Sequence, residues 1–323
     1  IGRWQLPWNA FPPGKELADR YGFDFTQRRL DKKEFYKESP IFVEEALHFL
    51  REERDPARPF YLYFAFQTVH GPHKVPKGDK ERWAKRLEGK THGWNPDMLA
   101  SLEHTDRCIG RVLDVLDELR LADNTLVVLS SDNGGLSGEM YSVENKPLRQ
   151  GKGTLYEGGV RVPLAFRWPG HIKPRSRCET PVHFVDLFPT FCDVAGVTID
   201  SKHHLDGVSL KPLFAGGTIP KRTIFLHYPH YLATWGTTPV RAVIRDRYKL
   251  VVHPFDHVEM SGRTARRGRY VPEPRVELFD LQTAPSERTN IAAQHPEVVS
   301  EMQKALGSWL KETGARDATR NPN

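Results

Sequence analysis

Residues 126–135 read "LVVLSSDNGG", an apolar run closed by an acid, an amide and two glycines. Leu126, Val127, Val128 and Leu129 have the make-up of a buried strand. Asp132 and Asn133 then fall at its tip. A carboxylate beside an amide carbonyl offers the oxygen donors that hard cations such as Ca2+ or Mg2+ prefer. Gly134 and Gly135 let the chain turn sharply and let a ligand come close to the backbone. Taken alone, Asp-Asn-Gly-Gly reads more simply as an Asx turn ending a strand. The surrounding sequence decides between the two.

Upstream, "SPIFVEEALHFLREER" has Ser39 and Pro40 as a cap and first turn, with Phe42, Ala46, Phe49 and Leu50 on one helical face. "FYLYFAF", 60–66, is a continuous apolar run, as expected of a strand covered on both faces. Asn95 and Pro96 open a second helix, whose stripe continues through Leu102, Ile109, Val112, Leu113 and Leu116. Downstream, "RVPLAFRWPG" reads as a short strand. "DLFPTFCDVAG" reads as a helix with Pro189 in its first turn and Gly196 past its end. Strands alternating with helices predict an α/β fold, with a mostly parallel sheet sandwiched by helices. Ligands gather at the carboxyl ends of such strands, where Asp132 and Asn133 lie.

After about residue 218 the pattern changes. "TIFLHY", "VRAVIRD", "YKLVVH" and "VELFDL" are short strands joined by turns or a loop. A last helix is predicted over 296–312, with Val298, Met302, Leu306, Trp309 and Leu310 inward. The expectation is a small C-terminal antiparallel sheet with one helix. Residues 1–218 would then form the catalytic α/β portion and 219–323 an α+β subdomain.

With 38% hydrophobic and 27% charged residues among 323, the composition is that of an ordinary globular protein. No apolar run approaches the length needed to span a bilayer. The formal charge of +6 mildly favours acidic partners. The basic cluster "RTARRGR", 263–269, is read as a solvated loop, and no nucleic-acid partner is expected. Cys108, Cys178 and Cys192 make neither a disulfide framework nor a zinc spacing.

The segment "NKPLRQGKGTLYEGGVRVPLAFRWPG", 145–170, places Lys152 between two glycines, ahead of Glu157-Gly158-Gly159. A lysine on a glycine-flanked loop can reach and neutralise an oxyanion. It is not a P-loop, because Gly153 stands where Ser or Thr is required. Taken in order, "LVVLSSDNGG" and "NKPLRQGKGTLYEGGVRVP" resemble the formylglycine-dependent (type I) sulfatase family of the alkaline phosphatase superfamily. "FYLYFAFQTVHGPHKVP", "DLFPTFCDVAG", "LDGVSLKPL", "VRAVIRDRYKLV" and "VELFDLQTAPSERTNIA" are similar to further landmarks of that family, in its usual order.

The resemblance implies that Asp132 and Asn133 are two ligands of one Ca2+, with Mg2+ as the alternative. It makes Lys152 the residue binding the sulfate, and His70 the group at the ester oxygen that leaves with a proton. Asn at position 133, rather than an imidazole, favours the one-calcium branch over two-zinc phosphatase relatives. His227 and His230 of "HYPHY" are candidates for contacts to the substrate's sugar or ring. "IGRWQL" aligns with the family's G-K-W-H-L, so Arg3 and Gln5 stand where Lys and His contact the sulfate and nucleophile. Arg keeps the charge and can fork onto sulfate, while Gln cannot carry a proton as imidazole does.

The family's nucleophile is a formylglycine made from a C-x-[SP]-x-R motif. None of the three cysteines lies in one, nor is the family's early aspartate pair present. Both are expected N-terminal to Ile1. The chain as given is therefore expected to be an inactive portion of a hydrolase for a sulfated glycan or aryl sulfate. Family habit implies export to periplasm, extracellular space or lysosome. The alternatives are a non-catalytic binder of sulfated glycans, or a phosphoesterase or phosphonate hydrolase of the same superfamily.

Overall fold

The structure is a computed structural model that describes residues 38–66, 68–71, 73, 75–90, 94–136, 145–232, 237–259 and 269–320. The chain divides into two compact units, Ile1–Thr125 and Leu126–Asn323.

In the first unit, α1 (Glu38–His48) runs into a π-helical turn, Phe49–Glu53. Phe42, Val43, Ala46, Leu47 and Leu50 recur every three or four residues and are buried. A second helix, α2 (Lys77–Leu87), and a third, α3 (Pro96–Glu118), follow, and α3 packs on both earlier helices. As its sequence predicts, α3 is capped by Asn95, whose Oδ1 accepts from the N–H groups of Asp97 (2.8 Å) and Met98 (3.3 Å). Glu103 on α3 accepts from the Trp83 indole (2.8 Å) and from Arg82 on α2.

The buried stripe of α3 differs from the expected one. Ala100, Ser101, Thr105 and Cys108 face inward with Val115 and Leu116, whereas Leu102 is 49% exposed. The expected stripe followed the largest apolar residues, but small side chains let neighbouring helices approach. The expected strand over 60–66 also does not form: Ala65 alone makes a bridge. Leu62 and Phe64 pack on Phe42 and Ala46, while Tyr61 and Tyr63 are exposed. An apolar run reports affinity for a covered surface, and here one face is covered.

In the second unit, β1 (Val127–Ser130) ends at Asp132 and Asn133. It pairs with β2 (Leu164–Arg167) antiparallel, Val127 opposite Arg167 and Ser130 opposite Leu164. All strand pairings among the described residues are antiparallel, which corrects the expected parallel direction for this pair. A parallel return needs a crossover spanning the strand's length. The described helix between β1 and β2 is only the single turn α4 (Glu157–Val160). The α/β class stands.

Helix α5 (Leu187–Val194) ends as its glycine predicts, with Gly196 at φ 69°. Asp186 beneath it is fully buried and paired with Arg222 in a two-pronged contact. After the short helix α6 (Lys211–Phe214) comes a four-stranded antiparallel sheet: β3 (Thr223–Tyr228), β4 (Val240–Arg245), β5 (Tyr248–His253) and β8 (Arg275–Asp280), in that order across the sheet. The small pair β6 (His257–Glu259) and β7 (Arg269–Val271) lies between β5 and β8 in the chain. The last helix is α7 (Pro296–Glu312), matching the predicted bounds.

Alternation along these strands assigns each face a cover. Val243, Leu250 and Leu278 face α7 and meet Met302 and Leu306, with Val298, Trp309 and Leu310 packed around them. Ala242, Val251 and Phe279 face the other way. Their cover is the segment bearing Leu155 and Tyr156, which descends from the loop carrying Lys152.

Candidate functional site: three glycine loops on a charged floor

Three backbone segments lock together at the end of β1. Gly134 N–H donates to Gly159 O (2.9 Å), and Lys152 N–H donates to Gly135 O (3.1 Å). Gly158 N–H donates to Arg149 O (2.8 Å), which closes the loop 149–158. Asn145 joins them, accepting from Gly135 N–H (3.0 Å) and donating to Gly135 O (2.8 Å) and Gln150 O (2.9 Å). The glycines are required by proximity. A Cβ on Gly134 would lie 1.7 Å from Gly158 O, and one on Gly158 would lie 2.3 Å from Gln150 O. The motifs Asp-Asn-Gly-Gly, Gln-Gly-Lys-Gly and Glu-Gly-Gly are therefore faces of one assembly.

Asp132 is exposed, and among the described residues no hydrogen bond or ion pair engages its carboxylate. Asn133 is half-buried. Its amide nitrogen donates to Gly134 O (2.9 Å), so Oδ1 is the atom able to serve as a ligand. Ser131 Oγ–H donates to Asn133 O (3.0 Å) and fixes the turn. Both available atoms are hard oxygens, which fits Ca2+ or Mg2+ in donor type. No group of three His, Cys, Asp or Glu that could hold a metal occurs among the described residues. Calcium takes six to eight oxygens, so the pair alone would not complete a shell.

Beneath the loop is a buried set of charges that the sequence reading did not single out. Lys249 on β5 is fully buried. Its Nζ donates to Glu157 Oε1 (2.8 Å) and lies 2.9 Å from Glu287 Oε1. Glu287 also accepts from the Glu157 backbone N–H (2.5 Å). Alongside, Glu277 on β8 accepts from Arg149 (3.1 Å), Arg275 (2.8 Å) and the Tyr156 hydroxyl. The Arg149 guanidinium covers the Tyr156 ring at 3.9 Å. Burial alone would raise the Glu277 carboxyl, but Arg149, Tyr156 and Arg275 together hold it below the usual range. Burial raises Glu287 further than Lys249 can lower it. His253, sealed beside Tyr156, is pulled down to about 4 by burial and stays neutral at physiological pH.

A signal for this floor existed in the strands. Lys249 in "YKLVVH" and Glu277 in "RVELFDL" have the same parity as Val251 and Phe279, which face the loop. A charge at an inward position of an alternating strand requires a buried partner.

The other candidates among the described residues each have their own local contacts. His70, in the first unit, is exposed, and its Nδ1–H donates to Gly71 O (2.6 Å). That bond fixes the tautomer and leaves Nε2 to face a partner. His227 has the parity of Phe225 and lies against Trp309 on the α7 side, where its Nε2–H donates to Arg316 O (2.8 Å). The structure therefore does not bring His227 to the Lys152 loop. His230 is exposed, its ring edge-on to Tyr228 at 5.4 Å. Arg3 and Gln5 lie outside the described residues, as does 263–268 of the basic cluster.

The family described as Sulfatase matches residues 2–197, and that described as N-sulphoglucosamine sulphohydrolase, C-terminal, matches 150–264. A sulfatase from Formosa agariphila is 31% identical over 288 residues, covering 83% of this chain and 49% of its own. An N-acetylgalactosamine-6-O-sulfatase from Bacteroides thetaiotaomicron is 28% identical over 284 residues, covering 83% and 50%. This chain thus spans about half the length of these curated relatives.

Among solved structures, Ps i-CgsB in complex with k-i-k-neocarrahexaose superposes with a TM-score of 0.70 at 24% identity, over 89% of this chain and 56% of that one. A structure in complex with D-glucosamine-2-N,6-O-disulfate gives 0.53 at 25% identity, over 73% and 46%. The interlocked glycine loops and these matches lead to one conclusion: the chain belongs to the sulfatase family.

Proposed function

We propose that the protein is a sulfuric ester hydrolase and that Lys152 is the residue of this chain that holds the sulfate. The observation that carries this reading is the bond from Lys152 N–H to Gly135 O, which joins the lysine's loop to the Asp132–Asn133 tip. A cation and a pair of hard-oxygen ligands on adjoining loops suit a tetrahedral anionic group better than a neutral one.

In this reading Lys152 draws charge from the sulfate oxygens and orients the sulfur. His70 acts here as its imidazolium: Nδ1–H stays on Gly71 O, and the second proton, on Nε2, is the one donated. As the attacking nucleophile's oxygen bonds to sulfur and the bond from sulfur to the ester oxygen breaks, the electron pair leaves with the ester oxygen and the His70 Nε2 proton completes the alcohol. Asp132 and Asn133 would hold Ca2+, which when bound supplies concentrated positive charge at the sulfate. Family membership suggests calcium and formylglycine in general. Residues 1–323 by themselves, with no cysteine in the nucleophile motif, are expected to turn over no sulfate ester.

Relatives named for N-acetylgalactosamine-6-sulfate chemistry and the glucosamine disulfate complex favour a sulfated carbohydrate as substrate. The C-terminal subdomain, 219–323, would face its sugar through the exposed His230. Export is part of the proposal. No helix of the described residues is long and apolar enough to cross a membrane.

The test is to compare kcat/KM for 4-nitrophenyl sulfate and 4-nitrophenyl phosphate, using the protein expressed from the complete reading frame that contains this chain. Faster sulfate hydrolysis, abolished by EGTA and restored by Ca2+, is expected. Faster phosphate hydrolysis would make it a phosphoesterase. Tight binding of heparin with no hydrolysis would make it a non-catalytic binder.

A further inference from the structure

We infer that Lys249, Glu157 and Glu287 are positioning residues for Lys152, holding its loop from below through an ion cluster sealed from solvent. The inference rests on the sulfate-binding reading of Lys152.

The loop 149–158 is anchored at both ends. At its start, Arg149 reaches Glu277 Oε1 and Glu287 O, each at 3.1 Å. At its end, the Glu157 carboxylate accepts from Lys249 Nζ (2.8 Å), and the Glu157 N–H donates to Glu287 Oε2 (2.5 Å). Lys152 sits between these anchors. Its neighbour Gly153 is fixed as well, its carbonyl accepting from Thr237 Oγ1 (2.8 Å). Beside the contacts to Gly135 and Asn145, the loop is therefore fixed at its two ends by β5, β8 and the Glu287 turn, and at Gly153 by Thr237.

The chemistry of the floor argues for a role beyond cohesion. Buried ion clusters are costly, and apolar groups of similar volume often hold a fold together as well or better. What ions add is direction, because each hydrogen bond fixes a length and an angle. These ions are placed at the two ends of one loop. Formally, Arg149, Lys249 and Arg275 balance Glu157, Glu277 and Glu287, and Arg161 lies 3.6 Å from Glu157 as a further cation. The floor therefore fixes the loop without setting a net negative charge beneath an anion site.

The experiment is calorimetric titration of inorganic sulfate into the protein expressed from the complete reading frame that contains this chain, with each protein's thermal unfolding recorded in parallel. Four proteins are compared: the parent, Lys152→Ala, Glu157→Gln, and a triple variant combining Lys249→Met, Glu157→Gln and Glu287→Gln. Lys152→Ala is expected to weaken sulfate about tenfold or more, the loss of one charge-assisted contact. The triple variant and Glu157→Gln are each expected to lose about tenfold at temperatures where they remain folded. Glu157→Gln keeps the side-chain volume and carries the test if the triple variant does not fold. Parent-like sulfate affinity in the folded floor variants, with Lys152→Ala still impaired, would overturn this inference alone. Unchanged affinity in Lys152→Ala would overturn the functional reading of Lys152, and the inference with it.

Discussion

Gly134 and Gly307 make a controlled contrast. A methyl on Gly134 would collide with a backbone carbonyl at 1.7 Å, a group that cannot swing away. Gly134→Ala is expected to cost about 3 kcal/mol or more, read as a lowered urea midpoint. Gly307 lies within α7 with nothing within 4 Å of a built Cβ. There Gly→Ala is expected to stabilise by about 0.5–1 kcal/mol, because the unfolded chain loses freedom at no native cost. Equal effects at the two sites would contradict the interlocked-loop description. Asp132 tests the metal reading at the same scale. Removing a carboxylate ligand lowers the charge count that sets calcium affinity, so Asp132→Ala in the full-frame protein should raise the half-saturating Ca2+ by about tenfold or more. An unchanged calcium requirement would remove Asp132 from the site.

The loop 149–158 and the sheet beneath it depend on each other, and the dependence has a pH signature. His253 titrates near 4 in the folded protein, while an unfolded chain takes up that proton near 6.5. The unfolded state therefore binds more protons throughout this window, and stability rises with pH across it. Moving from pH 7 to pH 4 is expected to cost roughly 3 kcal/mol through this residue. His253→Gln should flatten that slope in urea midpoints measured against pH, and an unaltered slope would refute the assignment. Lys249→Met alone strands two buried carboxylates and is expected to destabilise by about 3–5 kcal/mol.

Legibility in the sequence also divides by element. Helix α7 was readable because an amphipathic stripe of period 3.6 and Pro296 specify it locally. The four C-terminal strands were readable from alternation and turns. The pairing of β1 with β2 was not, since strand direction depends on the path of the connection rather than on the strand's own residues. At the candidate site, the turns that carry Asp132, Asn133 and Lys152 were legible through the glycines around them. For their floor, the inward charges Lys249 and Glu277 signalled only that buried partners exist; which partners was not legible, because Lys249, Glu277 and Glu287 lie far from the loop in sequence and meet it only through the folded sheet.

At the scale of the whole molecule, the chain matches the sulfatase family over residues 2–197 yet spans about half of its curated relatives. In the proposed reading it would supply a sulfate-holding lysine, two oxygen ligands and the floor that supports them. The account stands or falls on Lys152. The most direct measurement is kcat/KM for 4-nitrophenyl sulfate with the full-frame protein, comparing the parent with Lys152→Ala and Lys152→Arg. A loss of about a hundredfold or more in Lys152→Ala, partly recovered by Lys152→Arg, is predicted for a cation that neutralises the reacting sulfate. Activity within about twofold of the parent in Lys152→Ala would contradict the account.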